Sequence, residues 1–229
     1  MEQLPLAVGL RERANFEAFV PGANSEALQR VREVVAESRR AVLWLWGIEG
    51  CGRTHLLLAA CAAASLGTRV AYLPLAQVGD AATEFLGGAA EAQLLCLDDL
   101  DVAVGSLPLE RALFALYRRV EERGGRIITA AGAPPAALGW QLADIGSRFA
   151  AAEVFQLRPL DELAAQEALH RRAAARGLEL PEETARYLLR RFPRDMRSLV
   201  RLLDDIDTAA LSAQRRLTVP FVREILGEL

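Results

Sequence analysis

Residues 47–54 read Gly47-Ile48-Glu49-Gly50-Cys51-Gly52-Arg53-Thr54, directly after the apolar run AVLWLW at 41–46 and directly before His55-Leu56-Leu57-Leu58. A short apolar run ended by glycines and followed by a helical pattern reads as strand, turn and helix. In that setting Gly-x4-Gly, a basic residue and Thr form a phosphate-binding loop. The glycines let backbone N–H groups turn inward around phosphate oxygens, the helix start adds partial positive charge, and the Thr54 hydroxyl can hold Mg2+. The motif departs from its usual form at Arg53, where lysine is normal. Arginine keeps the charge but is bulkier and forked, so it crowds the outermost phosphate. An ordinary glycine-rich turn would account for the glycines, but not for the acids that follow.

Those acids lie about 45 residues on. The run at 93–97 is apolar and closes on Asp98-Asp99. This is the pattern of a Walker B strand, whose carboxylate reaches the metal beside the phosphate loop. Asp98 is expected to orient the metal, and Asp99 to orient or polarise an attacking water. Further strands are expected at 69–73, 126–130 and 153–157, and helices at 24–38, 53–66 and 107–123, with Asn24 or Ser25 as the first cap. Strands alternating with helices imply a mostly parallel sheet with helices on both faces. After residue 159 the pattern is helical, over 161–176, 181–191, 194–211 and 219–229. The expected organisation is a tail (1–23), an α/β nucleotide-binding domain (24–159) and a small all-α lid domain (160–229).

Composition narrows the function. Hydrophobic residues make up 52% of the 229, enough for a sizeable core, and the net charge of −3 argues against a broad basic face for duplex DNA. All 27 basic residues are arginine, a bias of composition that calls for care at single Arg-for-Lys replacements. Cys51, Cys61 and Cys96 have no metal-ligand spacing and read as reduced thiols of a cytoplasmic protein. His55 and His170 are too few and too scattered for a metal site. Trp44 and Trp46 read as core. Arg171, Arg172 and Arg176 read as a solvated helix face. No signal peptide or membrane span is expected.

Several blocks in order carry a family resemblance: Trp46 through His55-Leu56-Leu57, LLCLDDLD at 94–101, Ser147-Arg148-Phe149, and Asp195-Met196-Arg197-Ser198-Leu199. Together they resemble the AAA+ module of DnaA, and more closely the DnaA-homologous regulatory inactivators called Hda. That family also tends to have Gly-Arg-Ser/Thr-His in its phosphate loop, so Arg53 favours this resemblance. The stretch Ala213-Gln214-Arg215-Arg216-Leu217-Thr218-Val219-Pro220-Phe221-Val222 is similar to the Hda C-terminus. Gln3-Leu4-Pro5-Leu6 looks like the sliding-clamp-binding motif of the family.

The resemblance implies an α/β AAA+ P-loop NTPase module followed by a helical lid. It places ADP or ATP on Gly47, Gly50, Gly52, Arg53, Thr54, His55, Asp98, Asp99 and Arg197, with Mg2+ on Thr54 and Asp98. Arg148 falls at the arginine-finger position and Arg197 at sensor 2. Without the resemblance, Arg148 would read as a surface arginine ending a short helix, and Arg197 as a salt-bridge partner of Asp195 or Asp204. Sensor 1 is degraded: in the segment after the fourth strand only Thr129 offers a side-chain oxygen. The implied partners are DnaA, the DNA polymerase III sliding clamp through Gln3, Leu4, Pro5 and Leu6, DNA indirectly through that clamp, and further copies of the chain; no membrane is involved. The implied role is a regulator that promotes hydrolysis of DnaA-bound ATP, with little turnover of its own. The alternative is an autonomous AAA+ ATPase such as a helicase loader or remodeller, which Asp98-Asp99 permit and Arg53 and the poor sensor 1 disfavour. An origin-binding initiator would need a helix-turn-helix domain, to which no segment here is assigned.

Overall fold

The structure, a computed structural model, describes residues 14–37, 39–192, 198–199, 202–203, 205–206, 217–225 and 227. Five strands, β1 (Ala41–Trp46), β2 (Val70–Pro74), β3 (Leu94–Asp98), β4 (Arg126–Ala131) and β5 (Glu153–Gln156), form one sheet in the order β2-β3-β4-β1-β5. Every pair is parallel. The middle strands β3 and β4 are buried at each position, as parallel strands covered on both faces must be. The edge strand β5 is largely exposed. Because β3, β4 and β1 are neighbours, their carboxyl ends, and the loops that leave them, meet at one edge of the sheet.

The α/β part carries helices α1 (Ser25–Ala36), α2 (Arg53–Ala63), α3 (Leu75–Val78), α4 (Ala82–Gly88), α5 (Leu107–Glu122) and α6 (Ala143–Ala150). Helix α2 stops three residues short of the sequence expectation. Ala64 is already extended (φ −62°, ψ 137°), and the Thr68 amide closes a turn on the Ser65 carbonyl at 3.0 Å. Helices α3 and α4 fill a segment for which the sequence suggested no element, and they bury Leu75, Ala82 and Leu86. Asn24 holds the N-cap position of α1, but its side chain does not cap the helix. Its amide instead donates to the Arg158 carbonyl (2.9 Å) and accepts from the Arg158 N–H (2.7 Å), tying the start of this part to its end.

Arg126 is a buried arginine at the start of β4. Its Nη1 donates to the carbonyls of Val34, Val35 and Glu37 at 3.3, 2.7 and 2.7 Å, and so satisfies carbonyls that the end of α1 leaves open. The turn into β4 requires Gly125, because a Cβ there would lie 2.6 Å from Val120 Cγ1 and 2.9 Å from the Val120 carbonyl. Trp44, Tyr117, Trp140 and Phe149 form the aromatic centre of the core. The Phe149 ring lies 5.2 Å from Trp44, 5.6 Å from Tyr117 and 5.6 Å from Trp140. The Trp44 indole N–H donates to the Ala133 carbonyl at 3.0 Å, so its polar end is satisfied within the core. Trp46 is only half-buried.

The second part is helical, with α7 (Glu162–Ala174), α8 (Glu182–Arg191) and α9 (Val219–Ile225). Asp161 caps α7 by accepting from the Ala164 N–H at 2.8 Å. Leu169, Leu188, Leu199, Leu203, Phe221 and Val222 belong to its own apolar core. By contacts the chain divides into two compact units. One comprises 24–48 and 52–158, preceded by residues up to Phe16. The other comprises Pro159–Leu229 with Glu17–Ala23 and Glu49–Cys51. Among the described residues, no helix is long and apolar enough to cross a membrane.

Candidate functional site

At the carboxyl edge of the sheet, the loop after β1 turns on glycine. Gly50 and Gly52 have φ of 79° and 102°, in the left-handed region where a side chain is strained. Gly52 is the N-cap of α2, and its carbonyl accepts from the Leu56 N–H at 3.0 Å, which starts the helix. Arg53 is the first helical residue. Its Nη1 is the one buried side-chain nitrogen or oxygen among the described residues without a hydrogen-bond partner. It lies beside the end of β4: a Cβ placed on Gly132 would be 3.9 Å from Arg53 Nη1 and 3.6 Å from Asp101 Oδ2. Asp101 in turn accepts from the Gly132 N–H at 3.2 Å. The start of α2, the turn after β3 and the end of β4 therefore converge on a buried, unsatisfied guanidinium N–H. Such a donor is costly in isolation and is stabilised by an anionic oxygen.

Asp98 ends β3 and is 2% exposed. One of its oxygens accepts from the Tyr72 hydroxyl at 3.0 Å and the other from the Asp99 N–H at 3.1 Å. Burial first, and then the Asp98 charge, push the Tyr72 phenol far above its ordinary pKa, so it remains a donor. Asp99 has φ 53° and is the one non-glycine residue in the left-handed region among those described. A backbone of this kind concentrates at functional sites. Thr54 stands in the first turn of α2, and His55 pairs through Nε2 with the Asn15 carbonyl at 2.9 Å. Thr129, the side-chain oxygen available for sensor 1, is fully buried and donates to the Leu43 carbonyl at 3.2 Å. It serves the sheet, and the end of β4 presents only small residues. No group of three or more His, Cys, Asp or Glu that could hold a metal occurs among the described residues.

Arg148 lies elsewhere, in the last turn of α6. Its Nη1 pairs with Glu121 Oε2 at 2.5 Å, and its guanidinium lies over the rings of Phe114 (5.5 Å) and Tyr117 (5.3 Å). The other Glu121 oxygen pairs with Arg40. A cavity of about 230 Å³ beside it is lined by Arg40, Val42, Tyr117, Arg148 and Glu153, residues that begin β1 and β5 or close α5 and α6. This is the amino edge of the sheet. The six residues of β1 separate it from the glycine loop that precedes α2. At about 3.3 Å per residue, that is roughly 20 Å. Helix α6 is held at its other end by Glu110. This fully buried carboxylate accepts from the N–H groups of Gly105 (2.8 Å), Gln141 (3.2 Å) and Leu142 (2.6 Å). In the middle of α6, a Cβ on Gly146 would lie 3.0 Å from Trp140 Cδ1, so glycine lets the indole pack flat against the helix.

The structure thus brings Gly52, Arg53 and the β4 end together and keeps Arg148 apart from them. Gln3, Leu4, Pro5, Leu6 and Arg197 lie outside the described residues. Four residues escaped sequence reading: Arg40, Asp101, Glu110 and Glu121. Glu121 had a signal, because Phe114, Tyr117 and Glu121 are spaced three and four apart and share one helical stripe. Glu110 had none, since two of its three partners are 31 and 32 residues away.

The model of the bacterial DnaA ATPase domain matches residues 10–154, and that of the Hda lid domain matches 161–226. Among solved structures, domain III of the Thermotoga maritima replication initiation protein DnaA superposes with a TM-score of 0.82 at 23% identity, over 94% of this chain and 96% of that one. AMPPCP-bound DnaA from Aquifex aeolicus gives 0.69 at 24%, over 89% and 68%. The Thermotoga maritima RuvB Holliday junction branch migration motor gives 0.63 at 15%, over 88% and 69%. At these identities the structural likenesses speak for the fold alone.

Proposed function

This chain belongs to the DnaA-homologous AAA+ family, close to Hda, and from that premise we propose that it is a nucleotide-binding regulator that promotes hydrolysis of ATP held by DnaA. The observation that carries the reading is the separation of its two arginines. Arg53 lies at the carboxyl edge of the sheet and Arg148 at the amino edge, roughly 20 Å of strand away. Arg148 is therefore remote from the chain's own phosphate loop and faces outward, where a guanidinium can stabilise charge on a phosphate held by another protein.

The chain's own site is one for ADP or ATP. Gly47, Gly50 and Gly52 would hold phosphates through backbone N–H groups, with Arg53 supplying charge through a guanidinium whose Nη1 has no partner among the described residues. His55 and Arg197 would line or cover the nucleotide. Thr54 and Asp98 would hold Mg2+, which commonly takes its other ligands from phosphate and water. When bound, that ion would offset phosphate charge. Turnover by the chain alone is low in this reading. Arginine replaces the usual lysine, the Asp98 carboxylate is already engaged by Tyr72, and Thr129 is turned into the sheet. Asp99 would orient water, and no polar side chain at the end of β4 assists it. Gln3, Leu4, Pro5 and Leu6 would dock in an apolar groove of the sliding clamp, bringing the chain to DNA indirectly. The protein acts in the cytoplasm, and self-association through the same finger face is part of the reading.

The test is ATP turnover by the chain alone, then with DnaA, clamp and DNA. Slow turnover alone and fast hydrolysis of DnaA-bound ATP in the mixture are expected. Vigorous turnover alone, with no effect on DnaA, would replace this reading with an autonomous ATPase. A Gln3→Ala/Leu4→Ala variant should lose the clamp in a pull-down while keeping nucleotide affinity. Full retention of the clamp would move that contact elsewhere.

A further inference from the structure

We infer that Arg40 and Glu121 are positioning residues for Arg148, and that the three side chains act as one group with a net positive charge. The inference rests on the reading of Arg148 as a finger presented in trans. Among the described residues, only Nη1 of Arg148 is hydrogen-bonded, to a single oxygen of Glu121. Nε and Nη2 remain for a ligand while the pair with Glu121 persists. The rings of Phe114 and Tyr117 fix the plane of the guanidinium. Glu121 therefore holds the finger without using up its fork.

A carboxylate against Arg148 would by itself cancel the charge that a phosphate must feel. Arg40 removes this difficulty. It takes the second oxygen of Glu121, so two guanidiniums share one carboxylate. Arginine stays protonated in proteins, so the group keeps one positive charge. Both arginines line the same cavity of about 230 Å³ at the amino edge of the sheet, and the Glu153 carboxylate that also lines it is paired with Arg30. The Arg40 side chain is 56% exposed and that of Arg148 is 33% exposed, so the charge faces solvent and an incoming anion. Arg40 directly precedes β1. Its role is charge balance, for which a lysine would serve.

The experiment measures single-turnover hydrolysis of ATP on DnaA, with clamp and DNA, against the concentration of this chain. Arg40→Ala should lower the maximal stimulated rate about fivefold, with the half-saturating concentration unchanged. Arg40→Lys should restore the rate to within about twofold, because it returns the charge. Arg40→Ala/Glu121→Gln should also recover most of the loss, since the neutral amide still accepts from Arg148 and the net charge is positive again. An unaffected Arg40→Ala, or a double variant slower than Arg40→Ala alone, overturns the inference. Arg148→Ala in the same assay separates it from its premise. If that variant stimulates like the parent, the trans-finger reading has failed. If it is inactive while Arg40→Ala stimulates like the parent, the inference alone has failed.

Discussion

The two edges of the sheet treat a guanidinium in opposite ways. At the carboxyl edge, Arg53 has a buried nitrogen with no hydrogen-bond partner among the described residues. At the amino edge, Arg148 has a carboxylate and two aromatic rings, and is still a third exposed. An unsatisfied buried donor is costly, so the chain is stabilised when something external meets it. A partly exposed guanidinium with one nitrogen paired needs no ligand to offset a buried donor, and is held in place for one. The first arrangement suits a site that stays occupied, and the second suits a contact made and released with a partner.

The largest effect should come from removing the displayed cation. Arg148→Ala should lower stimulated hydrolysis of DnaA-bound ATP by roughly 10³-fold or more, while clamp and nucleotide binding stay as they were. A variant that stimulates normally would break the contrast at its amino edge. Next comes the seat of that cation. Phe149 is fully buried against Trp44, Tyr117 and Trp140, and Phe149→Ala should cost about 3–5 kcal/mol in chemical denaturation. A loss below about 1 kcal/mol would show that α6 is not anchored by this ring.

At the other edge, Arg53→Ala should weaken nucleotide binding in calorimetry by about 1.5–3 kcal/mol, the range for a charge-assisted hydrogen bond. Unchanged affinity would remove Arg53 from the site and dissolve the comparison. The smallest effect sharpens it. Thr129→Val deletes one hydroxyl bond inside the sheet and should lower stability by about 1 kcal/mol, with nucleotide affinity unaltered. A large loss of affinity instead would place Thr129 at the nucleotide.

The glycine turn between β1 and α2 was legible because its requirements are local: glycines, a basic residue and a hydroxyl in sequence between an apolar run and a helix. The alternation of strands and helices along the chain, and with it a parallel sheet, was legible from short apolar runs punctuated by glycine. What Thr129 does was not legible. Strand β4 is buried on both faces, so no alternation tells which way a residue points. Helices α3 and α4 were missed because Pro74, Gly79, Gly87 and Gly88 leave stretches too short to show a period. The unpaired Nη1 of Arg53 among the described residues and the shared carboxylate at Arg148 depend on side chains from distant segments, which only the folded chain brings together.

Helix α5 meets α6 at two points. Near its start, Glu110 holds the N–H groups that open α6. Near its end, Glu121 holds the arginine that closes it. Eleven residues of helix separate them, roughly 16 Å at 1.5 Å per residue. A short helix fastened at one end can pivot, whereas one fastened at both ends moves only with its support. The aim of Arg148 is therefore inherited from the sixteen residues of α5, whose inner face is locked by Leu113, Leu116 and Val120. Misplacement of this guanidinium should arise less from α6 itself than from any substitution that tilts this beam, however far away it lies.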